Sequence, residues 1–176
     1  MAVVASTPRL SLQCEAIAKD TSTIRSLDWD RSRFDIEFGL RNGTTYNSFL
    51  VRGERTALID TSHLKFEGIW LELLKEQIDP KAIDVLIVSH TEPDHSGLVG
   101  HVIDLNPDIE VVGSKVAIQF LENQVHRPFK SRAVKSGEEL DLGTNPESGI
   151  QHRFEFLSAP NLHWPDTIFS FDHGTG

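Results

Sequence analysis

The spacing of apolar residues changes at Phe66, and this change restricts the fold more than any other feature of the chain. Before it, Tyr46 to Val51 and Thr56 to Ile59 read as short strands separated by a Gly53-Glu54 turn. Phe34-Asp35-Ile36-Glu37-Phe38 alternates apolar and acidic residues, the pattern of a half-buried strand. Asn42-Gly43, between these segments, suits the positive backbone angles of a tight hairpin. After Phe66, residues Ile69, Leu71, Leu73, Leu74 and Ile78 give an amphipathic helix, stopped near Asp79-Pro80 because proline cannot continue it. Apolar runs and helical faces then alternate: a strand at Val85 to Val88, a helical face of Leu98, Val99, Val102, Ile103 and Leu105, a strand at Ile109 to Val112, a helix from Val116 to Val125 opened by Ser114, and a short strand at Ala133-Val134. Phe154 to Leu157 and Thr167 to Phe171 read as the last strands. An antiparallel meander followed by alternating strands and helices predicts a layered α/β domain. Residues 1–20 have weak periodicity and read as an N-terminal arm with little structure, which leaves 21–176 as the domain.

The chain has 176 residues, enough for one domain with a sizeable core, and no linker, repeat or charge block divides it. Its longest apolar stretches, such as Met1 to Ala5, fall far short of the roughly 20 residues of a membrane span, so no integral membrane segment is expected. With 26 acids against 17 scattered bases, a net charge of −9, it offers no cluster of Lys and Arg for a nucleic-acid partner. Cys14 is the single cysteine, which forbids an intrachain disulfide, and the first residues lack the basic and apolar regions of a secretory signal. A reducing, cytoplasmic compartment is the simplest expectation.

The chemistry is concentrated in Ser89-His90-Thr91-Glu92-Pro93-Asp94-His95-Ser96-Gly97, directly after the apolar run Val85 to Val88. His90, Glu92, Asp94 and His95 place four possible metal ligands within six residues, at the mouth of a buried strand and the start of a helix. Asp94 or Ser96 also suits a plain capping role at that helix. A packed strand has little structural use for four such side chains together, and two imidazoles with two carboxylates and no thiolate form a hard donor set suited to iron or manganese.

This motif, taken with Ala57-Leu58-Ile59-Asp60-Thr61 upstream and Ala159-Pro160-Asn161-Leu162-His163-Trp164-Pro165-Asp166 downstream, resembles the metallo-β-lactamase-like domain of the flavodiiron proteins. Glu92 resembles the diiron variant, because the hydrolases of that superfamily place histidine there; the segment Asn42 to Leu50 is similar to the same family. Over 21–176 the likeness is closest to the cyanobacterial multidomain type called diflavin flavoproteins. It implies an αββα sandwich, incomplete at the C-terminus, in which His90, Glu92 and His163 bind one iron and Asp94 and His95 the other. It also implies a bridging aspartate followed by Ala-Phe-Gly, and a distal histidine. Neither is matched, and Asp172, nine positions after His163, is not assigned to the metal. Both are expected beyond Gly176, as are the FMN-carrying flavodoxin-like domain and a flavin-reductase-like domain, so the chain is expected to be an N-terminal piece with little activity alone. The implied parent is an oxidoreductase that reduces O₂ to water, or NO to N₂O, with electrons from NAD(P)H through flavin, and works as a homo- or hetero-oligomer. A zinc-dependent hydrolase and a non-catalytic half domain are the alternatives.

Other residues carry weaker expectations. Asp60 suits either orientation of the ligand loop or a plain turn. His63, His101, His152 and His173 read as surface or structural histidines, and His126, near Arg127 and Lys130, as a surface histidine at a helix end rather than one that approaches substrate or flavin; Trp29 and Trp70 read as packing residues, and Trp164 as part of the wall of the metal pocket. The Arg31-Ser32-Arg33 and Lys130-Ser131-Arg132 segments read as solvated faces, and Cys14 is given no role. An unpaired edge in the second sheet predicts poor solubility or exchange of strands between chains.

Overall fold

The computed structural model describes residues 8–34 and 38–176. A seven-stranded sheet forms the middle of the molecule, in the order β1-β2-β5-β6-β7-β8-β9. Its first half is antiparallel: β1 (Leu10–Ala18), β2 (Thr21–Asp28), β5 (Thr44–Arg52) and β6 (Thr56–Ile59). Its second half, β7 (Val85–Ile87), β8 (Glu110–Gly113) and β9 (Lys130–Ala133), runs parallel to β6. Parallel neighbours need crossovers. These carry α1 (Glu67–Gln77), the short α2 (Pro93–Ser96) with α3 (Val99–Leu105), and α4 (Lys115–Val125), whose Ser114 side chain caps it by accepting from the Ala117 amide.

Strand β7 explains why the run from Val85 to Val88 lacks alternation. Leu86 and Val88 pack under the helices with Trp70, Leu74, Leu98, Val102 and Leu121, whereas Val85 and Ile87 face a second sheet and meet Leu140, Leu142, Phe154 and Phe156. A strand buried on both faces must be apolar throughout. The second sheet is antiparallel, in the order β10 (Glu139–Thr144), β11 (Gln151–Ser158), β12 (Ile168–Asp172). Helices, sheet and sheet thus make three successive layers of the αββα sandwich. On the outer face of the second sheet, Leu157, Phe169 and Phe171 are about half exposed, at 48%, 52% and 47%.

Three details differ from the sequence expectations. The arm expected over 1–20 is, from Leu10 to Ala18, the outer strand of the large sheet; it buries only one side, against Ile24 and its neighbours, so its apolar signal is weak. The single strand expected from Phe34 to Phe38 is instead two short strands, β3 (Arg33–Phe34) and β4 (Phe38–Gly39), which pair with each other; residues 35–37, on which the alternation rested, lie outside the described residues. Gly43 has the positive φ of 73° expected of it, and a Cβ there would lie 1.9 Å from the Asp28 carbonyl oxygen. However, the strands it separates do not pair as a hairpin, because β5 joins β2.

Candidate metal centre

The centre lies where β6 and β7 end side by side. Parallel strands present their C-terminal ends together, so the loops after Ile59 and Ile87 meet. Asp60 turns the first loop in a left-handed conformation, with φ of 55°, and points its carboxylate at the second. One oxygen accepts from the Ser89 amide at 2.7 Å and the other from His95 Nδ1 at 2.9 Å. Thr61 completes the join: its hydroxyl donates to the His95 carbonyl at 2.7 Å and accepts from the Leu98 amide at 3.1 Å. Gly97 permits this approach, since a Cβ there would meet Ser62 O at 2.8 Å and Leu64 N at 2.9 Å.

All five sequence-selected residues converge here. His90, Glu92 and His163 bring their ligand atoms within 4.8 Å of one another. In the structure His163 Nε2 donates to Glu92 Oε2 at 2.7 Å, across 71 positions of chain, and His90 Nε2 lies 3.3 Å from the same oxygen. Asp94 and His95 form a second group, with His95 Nε2 3.8 Å from Asp94 Oδ2. The two groups touch, because the His90 and His95 rings are 4.1 Å apart between centroids. His163 stands on a tight loop between β11 and β12, with φ of 76°, and Trp164 beside it lies 6.2 Å from the His90 ring. A cavity of about 400 Å³ opens next to the centre, lined by His90, His95, Phe49, Ile59, Leu162 and Ile168.

Burial governs the charges. It pushes the His90 imidazole below its ordinary range, with nearby His95 adding to the effect, and raises the Asp94 carboxyl, helped by Glu92 and opposed by His95. Burial also works against a charged His95, but the Asp60 hydrogen bond and the surrounding carboxylates outweigh it and raise that group. The donor set fits a hard cation. Asp94 Oδ1 is buried with no hydrogen-bond partner, a costly arrangement in an apolar interior that a cation would relieve. An imidazole fixed through Nδ1 by a carboxylate, as His95 is by Asp60, presents Nε2 as a ligand, the outer support typical of metal sites.

The remaining candidates sit elsewhere. Asp172 accepts from His152 Nδ1 at 2.8 Å and from Thr175 Oγ1 at 2.8 Å, and His152, fully buried, also reaches Asp20. His63 stacks on Tyr46 and caps the turn before α1, His101 pairs with Glu67, His173 with Glu155, and His126 ends α4 in a left-handed conformation. Trp70 is buried in the core as expected, but Trp29 is 45% exposed and donates to Ser11 Oγ, which corrects its reading as a packing residue. The basic segments are bonded as well as solvated: Lys130 pairs with Asp108, and Arg31 donates to the Arg33 carbonyl. The buried Asp166, whose Oδ2 accepts from the Thr91 amide at 2.7 Å, has no assigned role in the sequence reading. Its place three residues after His163 is the only signal that points to it.

Residues 44–176 match the family described as ODP family beta lactamase. The chain belongs to this family. Within it, the likeness is to flavodiiron proteins. A diflavin flavoprotein A 1 of Nostoc is 66% identical over 168 residues, which make up 96% of this chain and 28% of the relative. The anaerobic nitric oxide reductase flavorubredoxin of Vibrio vulnificus is 32% identical over 146 residues, 82% of this chain and 28% of the relative. Among solved structures, the metal-soaked Flv1 flavodiiron core of Synechocystis superposes with a TM-score of 0.85 at 29% identity, covering 96% of this chain and 41% of that one. The chain therefore spans less than a third of the curated relatives it matches.

Proposed function

We propose that the chain holds the non-haem diiron centre of an oxidoreductase that reduces O₂ to water or NO to N₂O, with electrons from NAD(P)H arriving through flavin. Residues 21–176 carry this centre, and β1 extends the same sheet. The observation that carries the reading is the convergence of His90, Glu92 and His163 beside Asp94 and His95. Flavodiiron proteins carry their irons in the β-lactamase-like domain and FMN in another; FMN therefore belongs to a partner domain or subunit, which favours an oligomer. Among the described residues no helix is long and apolar enough to cross a membrane, and we place the protein in the cytoplasm.

When bound, the irons supply the redox equivalents and the site at which the diatomic substrate is held. The chain does the rest. His90, Glu92 and His163 would hold one ion, Asp94 and His95 the other. Imidazole must be neutral to ligate, so the depression of His90 by burial prepares it for that task. Asp60 keeps the Nδ1 proton of His95 and frees Nε2. The apolar side chains of Phe49, Ile59, Leu162 and Ile168 beside the centre suit a small uncharged gas.

The test is the iron and zinc content per chain after expression in iron-supplemented medium, beside a form extended through the expected bridging aspartate and distal histidine. Two irons in the extended form, with fewer in this one, supports the reading. Zinc without iron in both, accompanied by thioester hydrolysis, replaces it with a hydrolase. No tight metal binding in either replaces it with a non-catalytic half domain.

A further inference from the structure

Asp166 is 1% exposed, more deeply buried than Asp28 at 2% or Asp60 at 4%. Those two carboxylates are met by several groups: Asp28 by Lys65 and Tyr46, Asp60 by Ser89 and His95. Asp166 instead accepts the Thr91 amide on one oxygen, while its Oδ1 and the Thr91 hydroxyl are both buried without a partner. A buried carboxylate is an expensive acceptor for one backbone amide. What matters is which two loops the bond joins. It crosses 75 positions and joins the loop between His90 and Glu92 to the loop that presents His163.

That loop needs an anchor. His163 and Asn161 both have positive φ, at 76° and 64°, which costs non-glycine residues conformational energy. The loop closes on itself through Asn161 N to Trp164 O at 2.9 Å and Thr167 Oγ1 to Trp164 O at 2.9 Å, bonds that shape it without fixing its height above Glu92. Ile168 N to Ser89 O at 2.8 Å fixes its far end, and Asp166 fixes the part nearest His163. The stretch Asp94-His95 has no such dependence, because Asp60 and Thr61 hold it at His95.

We propose that Asp166 is a positioning residue for His163: by holding the Thr91 amide it sets the distance of His163 from His90 and Glu92, and so determines the affinity of that half of the centre. This rests on the metal-centre reading above. The test is a double-mutant cycle read by cobalt(II) titration of this chain, followed by visible absorption. Asp166→Leu, similar in size but unable to accept, is expected to weaken cobalt binding at least about tenfold, the usual cost of losing an outer support. Asp166→Asn, whose amide oxygen still accepts from Thr91, should stay within about threefold of the parent. In a His163→Ala background the Asp166→Leu loss should shrink below about twofold, because a residue that acts through His163 has nothing left to act on.

An equal loss in both backgrounds makes the role one of general stability and overturns the proposal. So does a loss in Asp166→Asn as large as in Asp166→Leu. If Asp166→Leu does not fold, Asp166→Ala takes its place in the cycle under the same criteria. If His163→Ala itself leaves cobalt affinity unchanged, the metal-centre reading fails, and this inference with it. The His163 single variant thus separates the two failures.

Discussion

The two halves of the centre are built in opposite ways. Asp94 and His95 sit on one short stretch of chain, next to the end of β6, and that stretch is held at His95 by Asp60 and Thr61 through hydrogen bonds of 2.9 and 2.7 Å. The other half borrows His163 from a loop 71 positions from Glu92, between two strands of a different sheet. The first half is secured by the local joining of two parallel strands; the second exists only if the two sheets are packed and in register. The local half should therefore tolerate disturbance of the second sheet, and the distant half should not.

The strongest way to break this division is at Gly97. A Cβ there would sit 2.8 Å from Ser62 O and 2.9 Å from Leu64 N, both backbone atoms that cannot swing aside. Gly97→Ala should therefore cost about 2–3 kcal/mol, the scale of overpacking a closed interior. Urea unfolding measures the loss. The loop that carries Asp94 and His95 must shift first, whereas the amides of residues 159–167 should keep their hydrogen-exchange protection. Equal loss of protection in both regions would show that the halves are not separately held.

Asp60→Asn tests the local half more gently. The side chain still reaches Ser89 and His95, but its charge is gone and one of its two ends becomes a donor. Cobalt affinity is expected to fall about tenfold. In the metal-free chain the raised protonation of His95, which Asp60 supports, should relax toward that of an ordinary imidazole. The histidine ring signals in a pH-monitored NMR series would show it, and an unchanged titration of His95 would mean that Asp94 and Glu92 maintain its charge without Asp60.

These halves differ equally in how much of them the sequence discloses. Val85 to Val88 and the four ligand-type residues after it are adjacent in the chain, so the spacing itself exposes strand, loop and donors. His163 has no apolar periodicity around it that distinguishes it from His152 or His173; only the family resemblance of its segment singles it out, and only folding shows that it meets Glu92. Asp166 and Thr61 act through hydrogen bonds to backbone amides and carbonyls, which leave no trace in spacing. The same limit hides two strands. Strand β1 buries one side at the margin of its sheet, and β10 contributes only Leu140 and Leu142 to the core, too few for a period to emerge. The sequence around Asp60 suits a turn as well as orientation of the ligand loop, and its two hydrogen bonds favour orientation.

A smaller effect should come from acid. The β1–β2 turn is tied to the second sheet through Asp20, His152 and Asp172, with His152 fully buried between the two carboxylates. Burial acts to raise Asp172, but the Gly174 amide, His152 and Thr175 prevail and hold it below the ordinary carboxylate range. A depressed carboxylate contributes stability that is present above the unfolded value near 4 and disappears as pH falls through the folded one. Below about pH 4 the chain should lose this tie, and Asp172→Asn should remove about 1 kcal/mol at neutral pH while flattening the acid limb of the stability curve. Because β11 and β12 flank the His163 loop, exchange protection at 159–167 should decline before that at 94–98. The reverse order would contradict the dependence of the distant half on sheet packing.

The smallest effect sharpens the comparison by what it leaves unchanged. Arg153 Nη1 pairs with Glu139 at 3.0 Å on the outer face of the same sheet, with both side chains a little over 40% exposed. Water screens such a pair and its long side chains lose freedom in forming it, so Arg153→Ala should cost no more than about 0.5 kcal/mol. It adds no buried group to the interface and leaves the Asp172–His152 contact in place. If melting shows a loss near that of Asp172→Asn, then the outer face, through the β10–β11 pair, matters as much as the buried tie in keeping the second sheet in register. The position of His163 would then depend on charges that salt can weaken, and cobalt affinity should fall as ionic strength rises.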